Sequence, residues 1–113
     1  MEYTEALRRM AIADAEYTAA LLRADVRVVP EVEPRTLAFV RIAALAGAGA
    51  SAHSYAVEVD RAVCAGAQPA EIVSVLTGIA PVIGSAALAA AAPALALALG
   101  YDTEGALERL DPP

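Results

Sequence analysis

The chain of 113 residues has the length of one domain, and 58% hydrophobic against 19% charged residues excludes an intrinsically disordered polymer. All eight basic residues are arginine, and a formal charge of −6 with a pI near 4.6 argues against nucleic acid as a partner. A single cysteine, Cys64, excludes an internal disulfide and an internal dithiol pair.

About a quarter of the residues are alanine, tryptophan is absent and aromatic residues are 4%. Each small side chain buries little surface at ~25 cal/mol per Å², so a chain of this kind is expected to add burial by self-association. The N-terminal segment shows neither a basic start nor an apolar signal stretch, which makes the cytoplasm the expected compartment.

Helical spacing of Leu7, Met10, Ala11, Ala15, Thr18, Leu21 and Leu22 predicts a first helix over residues 3–23. Residues 25–34 hold two prolines among alternating acids and read as a connector with an extended turn. A second helix starts at Pro34, passes through Leu37, Val40, Ala44 and Leu45, and ends in the glycine-spaced residues 47–50. The third spans residues 51–65 and stops at Gly66. Pro69 opens a fourth, with Glu71 in the first turn where the helix dipole favours an acid, and it ends before Pro81. The fifth covers residues 85–99, with Gly100 as its cap and Pro93 as a point of kinking. Residues 102–113 form an acidic tail with room for one helical turn at Ala106 and Leu107. The class is all-α, a single domain over residues 1–113.

Residues 72–101 carry no charge and are long enough to cross a membrane. Pro81, Pro93, Gly78, Gly84 and the weakly lipophilic alanines argue instead for two helices buried in a soluble oligomer, with no membrane partner.

On the third helix, Ser51, Ser54, Glu58 and Arg61 fall within about 80° of one another at 3.6 residues per turn. Tyr55, Val59, Ala62 and Val63 form the adjoining apolar face. Two hydroxyls, a carboxylate and a guanidinium beside an apolar face are what a small polar pocket needs. The alternative is a solvated edge with an intrahelical Glu58–Arg61 pair, worth a few tenths of ~1 kcal/mol. His53, Asp60 and Cys64 fall on the opposite face. His53 and Cys64 lie roughly 16 Å apart along one helix, so they share no metal ion, and the chain has no second histidine. His53 reads as exposed or interfacial, Cys64 as buried or interfacial. The glycines at 47 and 49 lack the strand and lysine of a phosphate cradle, and no serine sits in a Gly-x-Ser-x-Gly elbow.

Several motifs carry a family likeness: Arg35-Thr36-Leu37-Ala38-Phe39-Val40-Arg41, Val59-Asp60-Arg61-Ala62 leading to Ala65-Gly66-Ala67, and Glu71-Ile72-Val73. Ala80-Pro81-Val82-Ile83-Gly84 and Leu97-Ala98-Leu99-Gly100-Tyr101-Asp102 extend it. Residues 35–101 resemble the carboxymuconolactone decarboxylase family, which includes the alkylhydroperoxidase-D-like proteins, in a short bacterial subgroup. The resemblance implies a small all-helical subunit of five or six helices, assembled as a homo-trimer or homo-hexamer, with sites between helices or at subunit contacts. It implies cofactor-independent lyase or isomerase chemistry if the protein is an enzyme. In the peroxidase branch a glutamate, a Cys-x-x-Cys pair and a histidine would fall at Phe39, Ser51, Ser54 and Glu58, and none of these types stands there. A serine pair cannot form a disulfide, so dithiol peroxidase chemistry is excluded on this alignment.

The expected catalytic residues are therefore Glu58, Ser54 and Ser51, with Arg61, Arg41 and Tyr55 binding a small organic acid or lactone. Neither a metal nor a cofactor is called for. The alternative is a non-catalytic helical oligomer that holds a small ligand or a partner protein at the same place.

Overall fold

A computed structural model describes residues 1–23 and 29–101. Among the described residues the protein is all-helical, apart from one isolated β-bridge between Val29 and Val32. The helices are α1 (Tyr3–Ala11), α2 (Ala15–Arg23), α3 (Pro34–Ala48), α4 (Ala52–Cys64) and α5 (Pro69–Ala98). The acidic tail with its turn at Ala106 and Leu107 lies outside the described residues, as do residues 24–28 of the connector.

The expected first helix is two. Ala13 takes a left-handed conformation at φ 54°, and the N–H of Asp14 reaches back to the Arg9 carbonyl at 3.0 Å. The Asp14 carboxylate then accepts the N–H of Tyr17 at 2.8 Å and starts α2. The same closing pattern ends the other helices, where the residue after a left-handed glycine bonds five positions back: Ala50 to Leu45, Ala67 to Ala62, Tyr101 to Ala96. Gly49, Gly66 and Gly100 advertise those three ends. Ala13 hides the fourth, because its apolar spacing continues unbroken across it.

The fourth and fifth expected helices run together as α5, and Pro81 does not end the first of them. Pro81 and Pro93 are both exposed, so their rings and the carbonyls they leave without a donor face outward. The break falls three residues later at Gly84, whose φ 85° and ψ 169° are accessible essentially to glycine alone. At the start of α5 the Glu71 carboxylate accepts the Gln68 N–H at 2.9 Å. Its other oxygen takes Arg35 Nη1 at 3.3 Å, tying α5 to the first turn of α3.

α3, α4 and α5 pack on one another around Ala38, Ile42 and Ala46, Tyr55, Val59 and Ala62, and Ile72, Leu76, Ala91 and Leu95. The spacing of four and three residues on α3 and α4 places each set on one helix face. Val63, expected on the apolar face, is exposed instead. The alanines bring the helix axes close, and Ile42, Ile72 and Tyr55 supply the bulk of the enclosed volume. α1 and α2 pair with each other and contribute no buried residue. The radius of gyration, 16.8 Å, exceeds the roughly 13 Å of a compact chain of this length, so the fold is elongated. α5 is long and apolar enough to span a membrane by length and composition, and most of it is exposed rather than buried.

Candidate functional site

α3 and α4 enclose a cavity of about 500 Å³ between the first half of α3 and the last half of α4. Pro34, Leu37, Ala38 and Arg41 reach it from α3 at positions i, i+3, i+4 and i+7, one continuous helix face. Glu58, Arg61 and Ala65 answer from α4 and its cap at i, i+3 and i+7, with Cys64 beside them. Glu33 and Arg35 complete the lining. Three of the chain's eight arginines thus meet two glutamates around apolar walls, a net positive lining in a chain of charge −6.

Glu58 and Arg61 lie one turn apart, and Arg61 Nη1 donates to Glu58 Oε1 at 3.1 Å. The carboxylate is the more deeply set of the two, with its side chain 14% exposed against 36% for the guanidinium. Glu58 Oε2 is buried and has no hydrogen-bond partner among the described residues. A buried acceptor left unmade costs roughly 1–3 kcal/mol, more when charged, so this oxygen favours any donor that reaches it.

The expected site residues separate. Glu58, Arg61 and Arg41 come together at the cavity. Ser51 and Ser54 do not line it: they sit at the opposite end of α4, with Ser51 as the N-cap residue and the two hydroxyl oxygens 3.4 Å apart. Tyr55 is fully enclosed and lines a different cavity of about 200 Å³, walled by residues 46–50 and by Ala87, Ala90 and Ala91. Burial raises the Tyr55 hydroxyl above the ordinary tyrosine value of 10.0. The 80° stripe is real as a helix face, but it is long enough to face two different surroundings.

Cys64 is a correction. It is exposed and lines the large cavity beside Arg61, not a face turned away from it. Cys64 stands about 60° from Arg61 around the helix, close enough to border the same cavity. His53 is exposed and lies outside the cavity. Sequence reasoning missed Glu33, Pro34, Arg35, Leu37, Ala38 and Ala65, although the i, i+3, i+4, i+7 face of α3 was available to find four of the cavity residues. Among the described residues no three His, Cys, Asp or Glu side chains gather in a way that could hold a metal ion.

No protein-family model, no curated protein and no solved structure matches the chain.

Proposed function

We propose that the α3–α4 cavity binds a small organic acid, and that the protein is a self-associating, carboxymuconolactone decarboxylase-like subunit without dithiol peroxidase chemistry. The observation that carries the reading is the pair of guanidinium groups, Arg41 and Arg61, on facing helices around one apolar cavity. A carboxylate placed between them would gain charge-assisted hydrogen bonds while Leu37, Ala38 and Ala65 cover its apolar body. Glu58 is the group in the cavity suited to proton transfer, by way of its unpartnered oxygen. The assembly is a homo-trimer or homo-hexamer, as the family likeness implies.

A second reading is a non-catalytic oligomer that holds a ligand or a partner protein through the same cavity. The Arg61–Glu58 ion pair favours it, because it gives Glu58 a structural task.

Calorimetric titration with benzoate and its neutral analogue benzamide tests the binding site. Benzoate is expected to bind at least about tenfold more tightly, and Arg41→Ala to remove about tenfold of that, the scale of one hydrogen bond to a charged group. Equal affinity for the two probes, or an indifferent Arg41→Ala, rejects the site. Decarboxylation or isomerisation of a carboxylated lactone that Glu58→Gln abolishes would decide for the enzyme over the binding protein. Steady turnover of cumene hydroperoxide with dithiothreitol would reject the exclusion of peroxidase chemistry.

A further inference from the structure

Two apolar surfaces have no partner among the described residues. The first belongs to α1 and α2. Tyr3, Leu7 and Met10 share one side of α1, while Glu5, Arg8 and Arg9 share the other, closed on itself by Glu5 oxygens 2.8 and 3.0 Å from the two arginines. α2 adds Leu21 and Leu22. All five apolar side chains are exposed, from 41% at Leu21 to 83% at Leu22.

The second surface is the outward side of α5 beyond the break at Gly84, where Ser85, Ala86 and Ala89 are exposed. No charged residue interrupts it from Ile72 to Tyr101. The two surfaces differ in relief. The first presents long side chains, the second a shallow strip of small ones, and neither brings a charge to the contact.

We propose that the α1–α2 pair of one copy docks on the outward side of α5 of a second copy. The proposal rests on the self-association put forward above and names its surfaces; a reciprocal contact fits the hexamer, as three such pairs, and not the trimer. Fully burying one leucine or methionine side chain removes about 60–120 Å² of apolar surface at ~25 cal/mol per Å². The five are about 60% exposed on average, so they can still cover roughly 200–350 Å². Counting α5 as well, one contact removes roughly 400–700 Å² and a reciprocal pair roughly 800–1,400 Å². Stable specific interfaces bury about 1,200–2,000 Å², so a single contact falls short and only a reciprocal exchange reaches the lower edge of that range. Meanwhile the charged side of α1 stays in water and no ion is stranded. A lipid surface suits the pair less well. Pro81, Pro93 and the break at Gly84 leave α5 carbonyls without donors, which hydrocarbon does not supply. The polar side of α1 and α2 mixes Glu5, Asp14 and Glu16 with its arginines, unlike the strongly basic face of an interfacial helix.

The test is sedimentation velocity of the full chain at micromolar concentration, with amide exchange read in parallel. Two variants are compared with the parent, Leu7→Asp with Met10→Asp on α1, and Ala89→Arg on α5. Both change exposed positions, and far-ultraviolet circular dichroism checks that they fold. The parent is expected to sediment well above 11.5 kDa and both variants near it. Ala89→Arg, although on α5, is expected to speed exchange of the α1 amides by at least about tenfold. An α1 variant that stays assembled overturns this docking while leaving self-association intact. A parent near 11.5 kDa overturns both, and if Ala89→Arg still exposes α1 there, the pair folds back on its own α5. Flotation of the parent, but of neither variant, with phosphatidylcholine–phosphatidylglycerol vesicles, without assembly in solution, would make lipid the partner and overturn it as well.

Discussion

Arg61 and Glu58 share one turn of α4 and one hydrogen bond of 3.1 Å, yet the pair satisfies only half of the carboxylate, because Glu58 Oε2 is buried without a partner. The arrangement sets two opposing terms against each other. The ion pair adds to stability, and the unmade acceptor offsets that gain.

Glu58→Gln measures the balance. Losing one partner of a deeply buried pair costs about 3–5 kcal/mol, whereas exposed pairs contribute about 0–1 kcal/mol. Arg61 is 36% exposed, so water can solvate it once the carboxylate is gone, and the substitution also removes a charged orphan acceptor. The expected destabilisation is below about 1 kcal/mol, read from urea unfolding followed by circular dichroism. A loss of about 3 kcal/mol or more would make the pair a structural element of the core.

Acid weakens α1 through Glu5. Glu5 bonds to Arg8 and Arg9, chiefly through the Arg8 hydrogen bond, and these hold its carboxyl down from the ordinary 4.5 to about 2. A carboxyl depressed in the folded state stabilises it fully above its unfolded value and loses that contribution as pH falls toward the folded value. The α1 helix is therefore expected to fray between pH 4.5 and about 2, as seen in its NMR amide and Cα shifts, and less steeply at high salt. Glu5→Gln should already show the frayed state at neutral pH. A variant as helical as the parent there, with no acid transition lost, would remove Glu5 from the explanation.

Two backbone positions should respond in opposite directions. Ala13 pays for a left-handed conformation that glycine adopts freely, so Ala13→Gly is expected to strengthen the end of α1 by about 1 kcal/mol, visible as slower exchange at Ile12 to Asp14. Gly84 stands at φ 85° with open space around the position of a side chain, so Gly84→Ala meets no clash and only backbone strain. A cost of about 1–3 kcal/mol is expected in denaturant unfolding. Stabilisation by Gly84→Ala would mean that α5 straightens into one continuous helix.

Core and surface apolar residues should separate cleanly. Ile72 is wholly enclosed between α5 and the α3–α4 pair, and Ile72→Ala is expected to cost about 2–5 kcal/mol. Val40 on α3 is 55% exposed, and Val40→Ala should stay within about 0.5 kcal/mol. Equal effects in thermal unfolding would contradict the placement of the core.

The sequence by itself determined what depends on a few neighbouring residues. Pro34, Gly49, Ser51, Gly66, Pro69 and Gly100 mark helix ends because a fixed φ, a left-handed φ or a cap is a local stereochemical demand, and the helices end there. The all-α class follows from the same periodicities. The exceptions have local causes too: Ala13 takes the left-handed position without the glycine that would announce it, and Pro81 keeps its place in α5 because its missing donor is turned outward. Only the tertiary structure decided which side chains meet. The Ser51–Ser54–Glu58–Arg61 stripe spans three turns, more than one cavity is wide, so its two ends face different neighbours. Arg35, Arg41 and Cys64 join Glu58 because α3 and α4 fold into a pair whose far ends enclose space, a relation between residues up to about thirty positions apart that no helical period encodes.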